Sequence, residues 1–214
     1  MDIKAVIFDL DGVLVFTDKY HYMAWKEIAG ELGIDFTEKD NDRLRGVSRA
    51  ESLEIILEKY KKEPLSQEEK AKILEKKNNL YREYLKEMSP KDVSPEVRKT
   101  LKAIRDGGLK LAVGSSSKNT AFILEKTDLT DSFDGVADGT HITRSKPDPE
   151  VFLKAAQFIS EDPKNCIVVE DADAGVEAAL AAGMKCAAIG SATANGKAHY
   201  NLTVITDLIK ILGL

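Results

Sequence analysis

The stretch "AVIFDLDGVLVFTDKYH", residues 5–21, begins as a strand and ends as something else. Ala5 to Phe8 is a short apolar run of the kind that forms a buried strand. The run breaks at Asp9, and after Leu10 come Asp11 and Gly12. Two carboxylates this close repel each other. Burying either one costs several kcal/mol unless a cation or hydrogen-bond donors compensate. The stretch is therefore either a surface turn or a charged site where a strand runs out. On an extended strand end, alternate residues share a face, which would send Asp9 and Asp11 to one side and Leu10 to the other.

Outward from this strand, the same signal repeats. Short runs rich in Val, Ile, Leu and Ala occur at 109–113, 166–169, 185–189 and 203–205, with a weaker one at 135–138. Amphipathic helical segments at 95–106, 118–127, 149–158 and 174–182 separate most of them. Strands alternating with helices predict a parallel sheet covered on both faces, a doubly wound, Rossmann-like α/β fold. One region breaks the alternation. From 18 to 85 the pattern is charged and helical ("YHYMAWKEIAGELGI", "RAESLEIILEKYKK", "SQEEKAKILEKKNNLYREYLKEM"), with breakers at Gly33, Gly46 and Pro64. This predicts a small helical cap domain at 18–85 inserted after the first strand, with 1–17 and 86–214 forming the α/β core and "SPKDVSP" at 89–95 as the return linker.

Composition narrows the function classes. The chain has 214 residues, 43% hydrophobic and 31% charged, enough to build a core. Its net charge of −5 argues against a nucleic-acid partner. No segment approaches the roughly 18 apolar residues of a membrane span, and the first apolar run is too short for a signal peptide. Cys166 and Cys186 sit beside strand-like segments without C-x-x-C spacing, and read as buried free thiols of a reducing compartment. A cytoplasmic protein with no nucleic-acid or membrane partner is the expectation, with a monomer as the default.

In open α/β sheets the ligand binds at the carboxyl ends of the strands. Four strands here run into polar or glycine-rich sequence: "DLDG" at 9–12, "GSSSKN" at 114–119, "EDADAG" at 170–175 and "IGSATANG" at 189–196. Asp9, Asp11, Glu170 and Asp171 would thus meet at one edge. They would repel without a cation, and hard oxygen donors of this kind suit Mg2+. Surface loops also carry acids, but both pairs here directly end apolar strands. Ser115, Ser116 and Ser117 offer hydroxyls and backbone N–H groups just before a helix, which suits an anion, although one serine there can simply cap the helix. Lys146, in "SKPDP", would neutralise a phosphoryl group and the nearby acids. Carboxylates, a cation and a phosphate cradle together permit phosphoryl transfer. One aspartate attacks phosphorus, and the other handles the proton of the leaving or attacking oxygen.

With these motifs in place, the chain resembles the haloacid dehalogenase superfamily of phosphotransferases. "DLDGV" matches its first motif, "GSSSKN" its second, "SKPDP" its third and "VVEDADAG" its fourth, in order from Ile7 to Gly175. The helical insertion resembles the cap of the branch that acts on small sugar phosphates, through "YHYMAW" at 20–25, "LRGVSRAESL" at 44–53, "KKNNLY" at 76–81 and the linker. The resemblance implies Asp9 as nucleophile and Asp11 as general acid/base. It implies one Mg2+ held by Asp9, the Asp11 backbone carbonyl, Glu170 and Asp171. Ser115, Ser116 and Lys146 would hold the transferring phosphoryl group, with Ser117 and Asn119 near the distal phosphate or sugar. Arg49 would grip the far phosphate, and Thr17, His21, Trp25, Gly46, Val47, Ser48 and Lys77 would shape the sugar pocket. The implied activity is a mutase that interconverts β-D-glucose 1-phosphate and glucose 6-phosphate, primed by glucose 1,6-bisphosphate. A sugar-phosphate phosphatase is the alternative.

Plainer readings stand beside these. His21 and Trp25, spaced i and i+4, share a helix face and on their own read as a core-facing pair; the resemblance turns that face toward the pocket. Lys77 lies in a lysine-rich helix where a solvated face is a competitor, and Arg49 could be an ordinary surface residue. His141 and His199 have no supporting neighbours and read as structural. Two positions depart from the family pattern: Phe16, where an acid is common, and Ala172, where a hydroxyl residue is common.

Overall fold

The strands pair in parallel throughout, in the order β3-β2-β1-β4-β5-β6. They are β1 (Ala5–Phe8), β2 (Lys110–Gly114), β3 (Gly135–Ala137), β4 (Cys166–Glu170), β5 (Lys185–Ala188) and β6 (Tyr200–Asn201). This is the doubly wound architecture expected from the alternation of strands and helices. The computed structural model describes residues 3–44 and 47–214. All four residues of β1 are fully buried, as a strand must be when helices cover both faces. Ile7 aligns with Ala112 on one side and Val168 on the other. The strand order reverses at β1, so its carboxyl end opens on the crevice where ligands of such sheets bind.

The chain divides into two units, Thr17–Glu87 and the remainder, Met1–Phe16 with Met88–Leu214. The first is helical: α1 (Asp18–Glu31), α2 (Glu38–Asp42), α3 (Arg49–Leu57) and α4 (Gln67–Leu85). Thr37, Ser48 and Ser66 each open a helix with a reciprocal capping box to Asp40, Glu51 and Glu69. Trp25, Ile28, Phe36, Leu53 and Ile56 form this unit's core. The short α2 was not foreseen, although Thr37 and Asp40 carry its capping signal.

In the sheet unit the helices are α5 (Pro95–Asp106), α6 (Thr120–Lys126), α7 (Glu150–Phe158), α8 (Asp173–Ala181) and α9 (Asp207–Leu212). Helix α7 packs against β1, β2 and β3, and α8 against β4 and β5. Phe152, Ala155, Val176 and Ala179 there meet Ile7, Ala112, Val168 and Ala188 of the sheet. Cys166 and Cys186 lie in the same cluster as free thiols, and burial pushes both up to about 12. The linker forms a single turn at Pro90–Asp92 capped by Ser89, and Pro95 then opens α5 at its first position.

One strand lies elsewhere than its sequence suggests. The apolar triplet at 203–205 is a turn, and the edge strand is Tyr200–Asn201. The N–H groups of Thr203 and Val204 donate to the carboxylate of Asp207, the first residue of α9, at 3.0 and 3.1 Å, which takes them out of the sheet.

Candidate active site

Asp9 follows β1 directly, and its N–H donates to Val169 O at 3.0 Å, so the chain still holds sheet register there. A turn then closes, with Leu14 and Val15 N–H both donating to Leu10 O. Gly12 takes a φ of +82° within it, and a Cβ at that position would overlap the Asp171 carboxylate. Glu170 is the last residue of β4 and is 1% exposed. Its Oε2 accepts from Ala172 N–H at 2.9 Å. Asp171 is fixed through its carbonyl, which accepts from Ala192 N–H at 3.1 Å and Ser191 Oγ at 3.0 Å. Lys146 comes from the loop before α7. Its buried ammonium donates to both Asp9 Oδ1 and Glu170 Oε1 and sits 4.7 Å from the centre of the Phe152 ring.

The electrostatics follow from crowding. Burial holds the Asp9 carboxyl above its ordinary range against the pull of Lys146, and Glu170 and Asp11 push the same way. Burial, with repulsion from Asp9 and Glu170, pushes Asp171 up to about 8. Burial works against the Lys146 charge, but Asp9 and Glu170 outweigh it and keep the ammonium protonated. One lysine thus leaves this acid cluster undercompensated. A further hard cation fits the donor set, since it would offset the repulsion that lifts Asp171. Among the described residues, no three His, Cys, Asp or Glu side chains already converge as ligands on one point. The ammonium now bridges two of the four acids.

The serine loop is built from successive turns. Ser115 N–H donates to Ala137 O at 3.0 Å, Ser115 Oγ accepts from Ser117 N–H at 3.2 Å, and Ser117 Oγ accepts from Asn119 N–H at 3.2 Å. Ser116 Oγ differs, being buried with no protein partner among the described residues. A buried hydroxyl left unsatisfied costs about 1–3 kcal/mol, so a ligand oxygen or water is its natural complement. Asn119 is buried at the head of α6.

In the helical unit, Lys77 is buried, not solvated, at 2% exposure. Its Nζ lies 2.8 Å from His21 Nδ1 and stands over the rings of Trp25 at 5.0 Å and Tyr81 at 4.5 Å. His21 stacks on Tyr81 with ring centres 4.1 Å apart, and the Tyr81 hydroxyl pairs with Thr17 Oγ1 at 2.9 Å. Trp25 belongs to this unit's core, as the plainer reading had it, while also contacting Lys77. Tyr81 was missed in the sequence. Its position four residues after Lys77 on one helix face was the available signal. Arg49 is half-buried, which lowers its pKa, and donates to Leu74 O at 3.3 Å. Among the described residues, no carboxylate pairs with it. The Ser48 hydroxyl caps α3 at Glu51 N–H, and Val47 lies in the bend before it. Gly46 lies outside the described residues.

The model of the haloacid dehalogenase-like hydrolase family matches residues 3–183. The chain belongs to the haloacid dehalogenase-like hydrolase family. A β-phosphoglucomutase of Bacillus subtilis (strain 168) is 39% identical over 193 residues, spanning 87% of this chain and 83% of that protein. A phosphorylated carbohydrates phosphatase of Thermotoga maritima is 33% identical over 184 residues, 85% of this chain and 82% of the other. A crystal structure of β-phosphoglucomutase from Clostridium difficile superposes with a TM-score of 0.90 at 39% identity, covering 96% of this chain and 93% of that one.

Two predictions concern the last of the haloacid dehalogenase-like motifs, 168–175. A methyl group at Gly175 would overlap the Glu170 carboxylate, which has no exposed space to move into. Gly175→Ala is expected to lower thermal stability by about 1–3 kcal/mol, despite the gain of roughly 1 kcal/mol in helix propensity. A raised Tm would contradict the packing described. Ala172 has the extended backbone of a helix N-cap, at φ −118° and ψ 144°, and supplies no side-chain cap. Ala172→Ser is expected to add about 1 kcal/mol, raising Tm by about 2–4 °C in a calorimetric scan.

Proposed function

We propose that this protein is a Mg2+-dependent β-phosphoglucomutase, interconverting β-D-glucose 1-phosphate and glucose 6-phosphate through glucose 1,6-bisphosphate. The observation that carries the reading is the buried Asp9 at the end of the central strand, paired with Lys146 and followed two residues later by a second acid. In this reading a hydroxyl of β-glucose 1-phosphate attacks phosphorylated Asp9, its proton goes to Asp11, the bond from phosphorus to the Asp9 oxygen breaks, and the bisphosphate forms. In the return step an Asp9 oxygen attacks the other phosphorus of the bisphosphate, the bond from that phosphorus to the sugar oxygen breaks, and Asp11 delivers the proton to that oxygen. Lys146, Ser115 and the Ser116 hydroxyl and N–H hold the transferring oxygens as charge develops on them. Asp9, the Asp11 carbonyl, Glu170 and Asp171 would hold Mg2+, which supplies charge neutralisation at the phosphoryl group when bound.

The helical unit is proposed as the cap that recognises the acceptor. Arg49, whose guanidinium has no carboxylate partner among the described residues, takes the distal phosphate in a forked geometry. Thr17, His21, Trp25, Val47, Ser48 and Lys77 recognise the sugar, and Ser117 and Asn119 assist from the serine loop. Hydrolysis of sugar phosphates is the second reading. It is favoured by the Thermotoga maritima relative, a phosphorylated carbohydrates phosphatase. Two buried free thiols accord with a cytoplasmic setting. Among the described residues, no helix is long and apolar enough to cross a membrane.

The cap assignment has its own test. Charge-assisted bonds to a phosphate are worth about 1.5–3 kcal/mol, so Arg49→Ala is expected to lower kcat/KM for the mutase reaction about ten- to a hundredfold. Hydrolysis of acetyl phosphate, which has no distal phosphate, should stay within about twofold of wild type. Equal losses in both assays would contradict the role given to Arg49.

A further inference from the structure

The loop that carries Lys146 is held by a carboxylate outside the chemistry above. Glu150 opens α7, and a single oxygen of its side chain, Oε2, accepts three hydrogen bonds. They come from Thr143 N–H at 2.9 Å, Thr143 Oγ1 at 3.0 Å and Arg144 N–H at 2.9 Å. These donors precede Lys146 in the chain and Glu150 follows it, so the contact closes a ring of backbone around the lysine. Inside the ring, Asp148 N–H donates to Ser145 O at 3.0 Å, and Glu150 N–H donates to Asp148 Oδ1 at 3.0 Å. Arg144 pairs with Asp148 at 3.0 Å. The convergent donors, the Arg144 and Thr143 N–H groups first, hold the Glu150 carboxyl below the usual range and therefore ionised at neutral pH.

Helix α7 thus meets Lys146 twice. Phe152 lies under the ammonium, and Glu150, two residues earlier on the same helix, ties down the backbone from which the lysine projects. The tip of Lys146 is held by Asp9 and Glu170, and the contact to Asp9 lasts only while that acid is unphosphorylated. Once a phosphoryl group arrives on Asp9, the lysine must serve a new oxygen while Glu170 still accepts from it, and the loop then sets how far the ammonium reaches. We propose that Glu150 is a positioning residue for Lys146, setting the placement of the ammonium during phosphoryl transfer. The inference rests on the reading that Lys146 holds the transferring phosphoryl group.

The test compares Glu150→Ala, Glu150→Asp and Glu150→Gln with wild type, Lys146→Ala and the double variant Lys146→Ala/Glu150→Ala. Turnover of β-glucose 1-phosphate and hydrolysis of acetyl phosphate are both measured, with Mg2+ present. Glu150→Ala is expected to lower kcat about ten- to a hundredfold in both reactions, the loss typical of a misplaced catalytic group, with KM for β-glucose 1-phosphate little changed. Glu150→Asp keeps the charge at the head of α7 but shortens the reach, and is expected to lose activity in the same way. Glu150→Gln keeps an acceptor oxygen at full reach while losing the charge, and should stay within about threefold of wild type. In the Lys146→Ala background, Glu150→Ala should cost less than about twofold, because the group it positions is gone. A full multiplicative loss in that background would overturn the proposal, as would wild-type kcat in both Glu150→Ala and Glu150→Asp. Wild-type turnover in Lys146→Ala would instead remove the phosphoryl-holding reading itself, and the inference with it.

Discussion

Asp9→Ala is expected to lower phosphoryl transfer by about ten-thousand-fold or more, in both mutase and hydrolytic assays. No other carboxylate can replace it. Glu170 is buried and already accepts from Ala172 N–H and Lys146, and Asp171 is held in place by the loop after β5. Loss of activity alone would not separate chemistry from folding, so stability must be read alongside. Burial and the neighbouring acids disfavour the Asp9 charge in the metal-free protein. Asp9→Asn keeps the shape and removes that repulsion, while Glu170 still partners Lys146. Its Tm should therefore equal or exceed that of wild type without Mg2+. Intact-protein mass spectrometry after acetyl phosphate treatment should show no acid-stable, base-labile phosphorylated species in either variant. A phosphorylated Asp9→Asn chain would move the nucleophile elsewhere.

Lys146→Ala is expected to have the largest effect on stability. It leaves Asp9 and Glu170 buried without their shared cation, and breaking a buried pair in this way costs about 3–5 kcal/mol. Phosphoryl transfer should fall by about a thousandfold, since a preorganised charge at the transferring oxygens is lost. Mg2+ in excess should recover part of the lost stability, because a ligand that binds only the folded state stabilises by mass action and this one neutralises the same acids. The measurement is a thermal scan of wild type and variant with and without Mg2+. The variant should gain more from the metal than wild type does. Equal Tm values for the two metal-free proteins would show that the acids do not depend on the ammonium.

The parts of the site legible in the sequence are those where a strand ends in charge. Asp9 after β1 and Glu170 at the end of β4 break apolar runs whose parallel pairing brings them to adjacent strand ends. The sheet was legible for the same reason, because strands buried on both faces leave continuous apolar runs. What escaped depends on which side-chain contacts form, in one case between residues distant in sequence. The burial of Lys77 among His21, Trp25 and Tyr81 comes from α1 packing against α4, which a lysine-rich segment does not reveal. The triplet at 203–205 has β-branched composition, but the Asp207 carboxylate a few residues on takes two of its N–H groups. The unsatisfied Ser116 hydroxyl has the same residue type as its neighbours and differs only in its surroundings. Phe16 is 67% exposed, and nothing in the structure explains it.

In the mutase reaction phosphorylated Asp9 gives its phosphoryl group to one position of the sugar phosphate and takes back the phosphate from the other position of the bisphosphate. Phosphorus NMR of β-glucose 1-phosphate with the protein, Mg2+ and a trace of glucose 1,6-bisphosphate follows every species at once. Glucose 6-phosphate is expected to grow as the β-glucose 1-phosphate signal falls, with little free phosphate. Stoichiometric release of inorganic phosphate without accumulation of glucose 6-phosphate would contradict it and make the protein a phosphatase.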